Sequence, residues 1–238
     1  MSIVITTPTG NIGSKLVEKL LAEGQNLTLI VRDPAKLSDD VRGAVTVKQG
    51  DLTDAAFVRT ATEGAEALFW LSPPNLTVPD VHAFYSSLYS AAAEAVTANR
   101  IGHVVLISGG GGGRRDAGTA SHLFATEDAL NATGANVLSL RCGYFMENFL
   151  TYLPTLKSDG AWYGLNRPEL AVPFVATQDI ATVAARKLLQ RDWTGQSHVA
   201  VHGAADVTFA EAASILTDAT GKTIRYVQVP AEGMLHAL

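Results

Sequence analysis

Short runs of apolar and β-branched residues alternate along this chain with stretches whose apolar residues recur every three or four positions. Runs of the first kind predict strands at Ile3–Thr6, Leu27–Val31, Val45–Gln49, Ala67–Leu71, His103–Ser108 and Asn136–Leu140. Stretches of the second kind predict helices over Gly13–Glu23, from Thr53 or Asp54 to Glu63, over Val81–Asn99 and over Ala120–Ala132. The first helix gathers Leu16, Val17, Leu20 and Leu21 on one face and stops at Gly24; Gly134 closes the last. Strands that are apolar throughout are buried on both faces, and helices between them imply a parallel sheet covered on either side. The pattern loosens after about Phe149. Ser158–Pro168, rich in Gly, Asn and aromatics, predicts irregular structure. A helix Asp179–Gln190, a strand His198–His202, a helix Phe209–Thr220 and a strand Ile224–Gln228 follow. The fold class is therefore α/β: a doubly wound parallel sheet over residues 1–150, partly interleaved with a small C-terminal α+β subdomain over 151–238.

Composition narrows the function classes. An apolar share of 47% with 17% charged residues suits a buried sheet and excludes general disorder. A net charge of −5 and no basic cluster argue against a nucleic-acid partner. No apolar run approaches the roughly 18 residues of a membrane helix, so no membrane span is expected. The chain enters its first strand without a charged and then apolar leader. Its single cysteine, Cys142, leaves no internal disulfide framework, and a cytoplasmic setting is expected. Six scattered histidines and one cysteine give no metal site.

The strongest motif is Thr6-Thr7-Pro8-Thr9-Gly10-Asn11-Ile12-Gly13, between the first strand and the first helix. Gly10 lets backbone approach a pyrophosphate, and Gly13 lets the helix pack close to the strand. The free N–H groups of the first helical turn then face the phosphates. The full pattern has a third glycine where this chain has Thr7, but the strand–turn–helix context supports a dinucleotide-binding, Rossmann-type reading. Arg32 ends the second strand, where an acidic residue would hold a ribose 2′-hydroxyl and an arginine a 2′-phosphate. With Lys36 nearby, it favours NADP(H) over NAD(H). Asp33, which could turn inward instead, stands against that preference.

Ligands in such sheets sit beyond the carboxyl ends of the strands. Those ends supply further cofactor-binding candidates: Asp51 and Leu52 near an adenine, Leu71, Ser72, Pro73 and Pro74 near the nicotinamide ribose, Ser108 and Gly109, and Gly143 and Tyr144. The glycine run Gly109–Gly113, with Arg114 and Arg115, reads either as a mobile lid or as a solvated loop.

Several stretches resemble the NmrA-like branch of the atypical short-chain dehydrogenase/reductases, and within it the NADPH:quinone oxidoreductases. They are Thr9-Gly10-Asn11-Ile12-Gly13, Val31-Arg32-Asp33-Pro34-Ala35-Lys36, Gly50-Asp51-Leu52, residues 140–149 (LRCGYFMENF), residues 172–181 (VPFVATQDIA) and Thr208-Phe209-Ala210-Glu211. The run at 140–149 is the most specific, matching the family's Arg-Pro-Gly-x-Phe-Met-Glu-Asn stretch with Cys142 in place of the proline. The resemblance covers essentially the whole chain. It implies a substrate-side role for the C-terminal subdomain, which in relatives runs some tens of residues past the point matching Leu238.

The resemblance also frames the chemistry. Short-chain reductases usually carry a Tyr and a Lys four residues apart on the helix before the sixth strand, where the Tyr donates a proton as hydride arrives. Here that helix contains Ser121-His122-Leu123-Phe124-Ala125-Thr126-Glu127, with neither. Tyr85 and Tyr89 share the spacing but lie on an earlier helix. His122 is the candidate proton donor, or else a plain surface residue, and Tyr144 lines the pocket. Phe145, Met146, Asn148 and Phe149 are candidates for a pocket wall against a flat substrate, or for ordinary core. Cys142 has no base beside it and is read as inert. Two functions suit this set: an NAD(P)H-dependent oxidoreductase acting on a quinone or similar small carbonyl, or a non-catalytic NADP(H)-binding redox sensor acting through a protein partner. An epimerase- or lyase-type enzyme would need an acid/base pair that the sequence does not offer. The long helix Val81–Asn99 offers a face for a homodimer.

Overall fold

The protein is described from a computed structural model, which covers residues 2–75, 77–110 and 118–230. The five-glycine run therefore lies largely outside the described residues, and the lid reading with it. Twelve strands and eight α-helices follow one another in the described residues. The N-terminal series is β1 (Ser2–Thr6), α1 (Gly13–Ala22), β2 (Asn26–Val31), α2 (Asp39–Ala44), β3 (Thr46–Gln49), α3 (Ala55–Ala61), β4 (Ala67–Trp70), α4 (Val81–Asn99), β5 (His103–Gly109), α5 (Ser121–Asn131) and β6 (Asn136–Cys142). Then come β7 (Tyr144–Phe145), α6 (Leu153–Ser158), β8 (Ala161–Gly164), β9 (Ala171–Val175), α7 (Thr177–Gln190), β10 (Gln196–Val201), β11 (Asp206–Thr208), α8 (Phe209–Thr220) and β12 (Arg225–Gln228).

Two compact units emerge. The first joins the residues up to Cys142 to Thr177–Val201; the second joins Gly143–Ala176 to the residues from His202 on. The chain thus passes between the two units three times.

The first unit holds a seven-stranded sheet in the order β10-β6-β5-β4-β1-β2-β3. Every neighbouring pair in it is parallel. The order reverses beside β1, which makes the carboxyl end of β1 the switch point where ligands bind in sheets of this class. Ile3, Ile5, Leu29, Leu68, Val104, Val105 and Val137 are fully buried, which is why these strands read as unbroken apolar runs. Helix starts are set by side chains: Asp54 accepts from the Phe57 N–H and Asp80 from the Ala83 N–H. At the strand ends the Leu71 N–H donates to Thr6 Oγ1 at 2.9 Å, tying β4 to β1.

The second unit has a core of rings. Trp162, Phe174 and Phe209 are buried, with Tyr144, Phe149, Tyr152 and Tyr226 packed on them. Its strands form two small sheets, β11-β9-β7 and β12-β8. Ser158–Pro168 is not irregular throughout, because Ala161–Gly164 forms β8 and pairs in parallel with β12. Four residues are too few to show a period, and only a partner distant in sequence reveals the strand.

No described helix is long and apolar enough to cross a membrane. No group of three or more potential metal ligands occurs among the described residues.

Candidate dinucleotide site

The β1–α1 turn is shaped by backbone contacts. A Cβ on Gly13 would stand 2.1 Å from the Thr7 carbonyl oxygen, so only glycine lets α1 begin this close to the strand. The Gly10 N–H donates to that same carbonyl at 3.1 Å. Thr7 itself has φ of 50°, the left-handed region that a β-branched residue rarely enters. Threonine thus occupies a glycine conformation at the position where the dinucleotide motif carries its first glycine.

Beside this turn lies a cavity of about 210 Å³. Its lining includes Thr7, Thr9, Gly10, Arg32, Asp51, Leu52 and Pro73, all candidates from sequence. Pro8, Gly50, Phe84 and Leu88 also line it and were not candidates. Phe84 and Leu88 come from the first turns of α4, and nothing in a helix-period pattern distinguishes a cavity-facing residue from a core-facing one. Gly50 stood in the sequence only as part of Gly50-Asp51-Leu52; in the structure a Cβ there would stand 2.5 Å from the Phe57 ring.

The other candidates lie elsewhere. Ile12 and Gly13 are buried beneath the turn and Asn11 is exposed on it. Lys36 lines a separate, smaller cavity of about 160 Å³ with Glu18 and Ser38. Ser72 Oγ accepts from Trp70 Nε1 at 3.2 Å. Leu71, Pro74, Ser108 and Gly109 stand at strand ends outside the lining of the 210 Å³ cavity.

Charge and hydrogen bonding at this edge are partly committed. Asp33 accepts from the Ala35 N–H at 3.0 Å and caps the short turn Pro34–Lys36, which settles its orientation as a cap. Asp51 Oδ1 accepts from both the N–H and the hydroxyl of Thr53, at 2.8 Å each. Arg32 is exposed, its carbonyl held by Gln49 Nε2 at 3.2 Å. No described ion pair engages its guanidinium.

The fit of a dinucleotide can be judged from polar groups left over. Thr7 Oγ1 and Ser108 Oγ are buried side-chain atoms with no hydrogen-bond partner. Orphaned hydroxyls are uncommon in a folded interior. These two stand at the carboxyl ends of β1 and β5, the edge where the sheet topology directs a ligand. With a glycine turn, a cavity and an uncommitted guanidinium, the residues present fit an anionic dinucleotide.

The candidates for chemistry divide between the units. In the first, the half-buried His122 ring near the start of α5 stacks on Tyr85 of α4, with centroids 4.4 Å apart and planes 12° from parallel. His82 lies 5.7 Å from the same ring. Burial, and next the nearby His82, lower the pKa of His122. Further along α5, Glu127 is 6% exposed and forms a two-point pair with Arg141 of β6, at 3.1 and 2.7 Å. Burial pushes the Cys142 thiol up to about 12, so it remains protonated and unreactive.

In the second unit the Tyr144 hydroxyl lies 3.3 Å from that of Tyr152. Burial raises its pKa, and the Tyr152 hydroxyl adds to this, so Tyr144 keeps its proton. A Cβ on Gly143 would meet the Pro173 carbonyl oxygen at 2.0 Å. Phe149 packs within the aromatic core, 4.7 Å from Trp162 and stacked on Phe174. Met146 is 45% exposed, and Phe145 and Asn148 are half-buried.

Comparison with known proteins fixes the family. The chain belongs to the NmrA-like family, whose model matches residues 1–238. It is 27% identical over 237 residues to an NAD(P)H azoreductase of Xenophilus azovorans, covering 99% of this chain and 80% of that protein. It is 25% identical over 228 residues to quinone oxidoreductase 2 of Escherichia coli (strain K12), covering 94% of this chain and 76% of that protein. Among solved structures, the E. coli NADPH-dependent quinone oxidoreductase complexed with NADPH matches with a TM-score of 0.79 at 25% identity, covering 99% of this chain and 81% of the other. A Citrobacter sp. triphenylmethane reductase complexed with NADP(H) matches with a TM-score of 0.80 at 23% identity, over 100% and 84% of the two chains. This second likeness is one of fold.

Proposed function

We propose that this NmrA-like protein is an NADPH-dependent oxidoreductase that reduces a quinone or a related flat, electron-poor acceptor. The observation that carries the reading is the cavity beside the β1–α1 turn, with Arg32 in its wall and uncommitted. Relatives named as quinone and azo reductases support the reaction class.

Each residue has a role in this reading. The turn around Gly10 offers backbone N–H groups to a pyrophosphate, aided by the start of α1. Arg32 holds a ribose 2′-phosphate through its planar fork of donors. Asp33, committed to its cap, leaves that place to the arginine. Leu52, Phe84 and Leu88 supply an apolar wall for a base. A bound dihydronicotinamide supplies hydride. With neither Tyr nor Lys on α5, the single proton that completes reduction of a quinone comes from His122 or from water.

The test follows NADPH oxidation with a panel of quinones, with NADH in parallel. The expected result is turnover that is faster with NADPH. Arg32→Ala should weaken NADPH binding about 10- to 100-fold, the scale of lost charge-assisted bonds to one phosphate, and leave NADH binding nearly unchanged. Tight NADPH binding without turnover on any acceptor would replace this reading with the NADP(H)-responsive sensor.

A further inference from the structure

The ring cluster at the start of α4 and α5 extends the proposed reaction. In parallel sheets with crossover helices, each helix begins at the carboxyl edge of the strand before it, so α4 and α5 both begin at the edge that holds the candidate site. Helix α4 shows two faces there. Phe84 and Leu88 line the cavity, while Tyr85 and His82 carry the ring of His122. Tyr85 is 7% exposed and serves as a fixed floor that sets the plane of the His122 ring. His122 is half-buried above it and His82 is exposed to water. The cluster therefore runs from solvent, through one imidazole, to a second imidazole held in a fixed plane.

We propose that His82 and His122 form a two-imidazole proton relay, in which His82 collects a proton from water and His122 delivers it to the reduced acceptor. This rests on the reductase reading above. A quinone takes one hydride and one proton to become a hydroquinone. The proton leaves a ring nitrogen of His122, whose electron pair stays on that nitrogen. His122 regains a proton from His82 through a bridging water, since no described hydrogen bond joins the two rings, and His82 regains it from bulk solvent. The two ring centroids stand 5.7 Å apart, and after burial the nearby His82 is the second cause that lowers the pKa of His122. Among the described residues, His82 and Tyr85 are the titratable groups set against the His122 ring, both from α4. Glu127 on the same helix is engaged by Arg141 of β6. His103, the titratable group of β5, stands at the far end of that strand, edge-on to Trp193.

The experiment uses the full chain with His82→Gln and His122→Gln. Proton NMR titration of the histidine ring signals comes first, since it needs no turnover. In His82→Gln the midpoint of His122 should rise by about half a pH unit as a neighbouring like charge is removed. Turnover of a quinone at pH 7.5 should fall roughly 3- to 10-fold with an unchanged KM, and added imidazole should restore it. In the wild type the proton-delivery rate should climb as pH falls through the lowered pKa of His122. An unmoved His122 midpoint, or normal His82→Gln turnover beside an active wild type, would overturn the relay and spare the reductase reading. A wild type that turns over no acceptor would remove both.

Discussion

In the first unit most of the fully buried side chains are aliphatic, with Ile3, Ile5, Leu29 and Leu68 on neighbouring parallel strands around two fully buried rings, Phe69 and Trp70 of β4. In the second they are rings: Trp162 touches Phe149, Tyr152, Phe209 and Tyr226 at centroid distances of 4.7 to 5.7 Å. Aliphatic layers spread their cohesion over many small contacts, each strand contributing a few methyl groups. An aromatic cluster concentrates it in a few large side chains with preferred edge-to-face geometry. The first arrangement tolerates local loss, whereas the second hinges on its central ring.

The largest predicted effect follows from that contrast. Trp162→Ala should destabilise the second unit by about 3–5 kcal/mol. Urea unfolding should then show a new early transition, with loss of the near-ultraviolet circular dichroism of the ring cluster. Leu29→Ala should cost about 2–5 kcal/mol without that early loss. A single shifted transition for both variants would mean that the two cores melt as one, and the contrast would have no thermodynamic content.

The same contrast explains what the sequence disclosed. Strands β1, β2, β4, β5 and β6 were legible because burial on both faces makes them continuous apolar runs. Helices α4 and α8 match their expected bounds, Val81–Asn99 and Phe209–Thr220, because each begins at a side-chain cap. The second unit was less legible. Apart from Phe209, which opens α8, its rings come from short strands and turns between 144 and 226 with too few residues to show a period, and β7, β9 and β11 had no signal of their own. Helix α2 had one, Ser38 accepting from the Val41 N–H, but its six residues bury nothing. At the candidate site, the turn, Arg32 and Asp51 were legible as motif positions. Phe84 and Leu88 were not, since α4 resembles any buried helix. His82 and Tyr85 were hidden too, because their meaning lies in the stacking of α5 upon α4.

Of the three non-glycine residues with positive φ among the described residues of the first unit, Thr7, Arg100 and Arg191, only Thr7 is β-branched. Its positive φ is retained although the side chain is β-branched, because the Gly13 contact and the Gly10 hydrogen bond hold its carbonyl in place. Thr7→Gly should relieve about 1–2 kcal/mol of left-handed strain, reduced by the greater freedom of glycine in the unfolded chain. A net gain of about 1 kcal/mol is expected, read as a higher urea midpoint at unchanged slope. An unchanged or lower midpoint would show that the turn accommodates threonine without strain, and that its orphaned hydroxyl is worth more to the fold than the geometry indicates.

The smallest effect compares helix starts across the two units. In the first, α5 begins at Ala120 with no side-chain cap. In the second, α8 begins with a reciprocal box: the Thr208 hydroxyl accepts from the Glu211 N–H, while the Glu211 carboxylate accepts from the Thr208 N–H at 2.8 Å. Those bonds from Thr208, backbone first and hydroxyl second, lower the pKa of Glu211. Because the folded value lies below the unfolded one, the carboxylate stabilises α8 above the ordinary carboxylate range near 4.3. That contribution disappears as pH falls through the folded value. Glu211→Gln keeps an acceptor for the Thr208 N–H but removes the charge, so stability at neutral pH should change little. Its loss between about pH 5 and 3 should become shallower than in the wild type, as read from thermal midpoints across that range. An identical acid limb in both proteins would mean that the box is too exposed to act electrostatically, leaving α8 dependent on the rings beneath it.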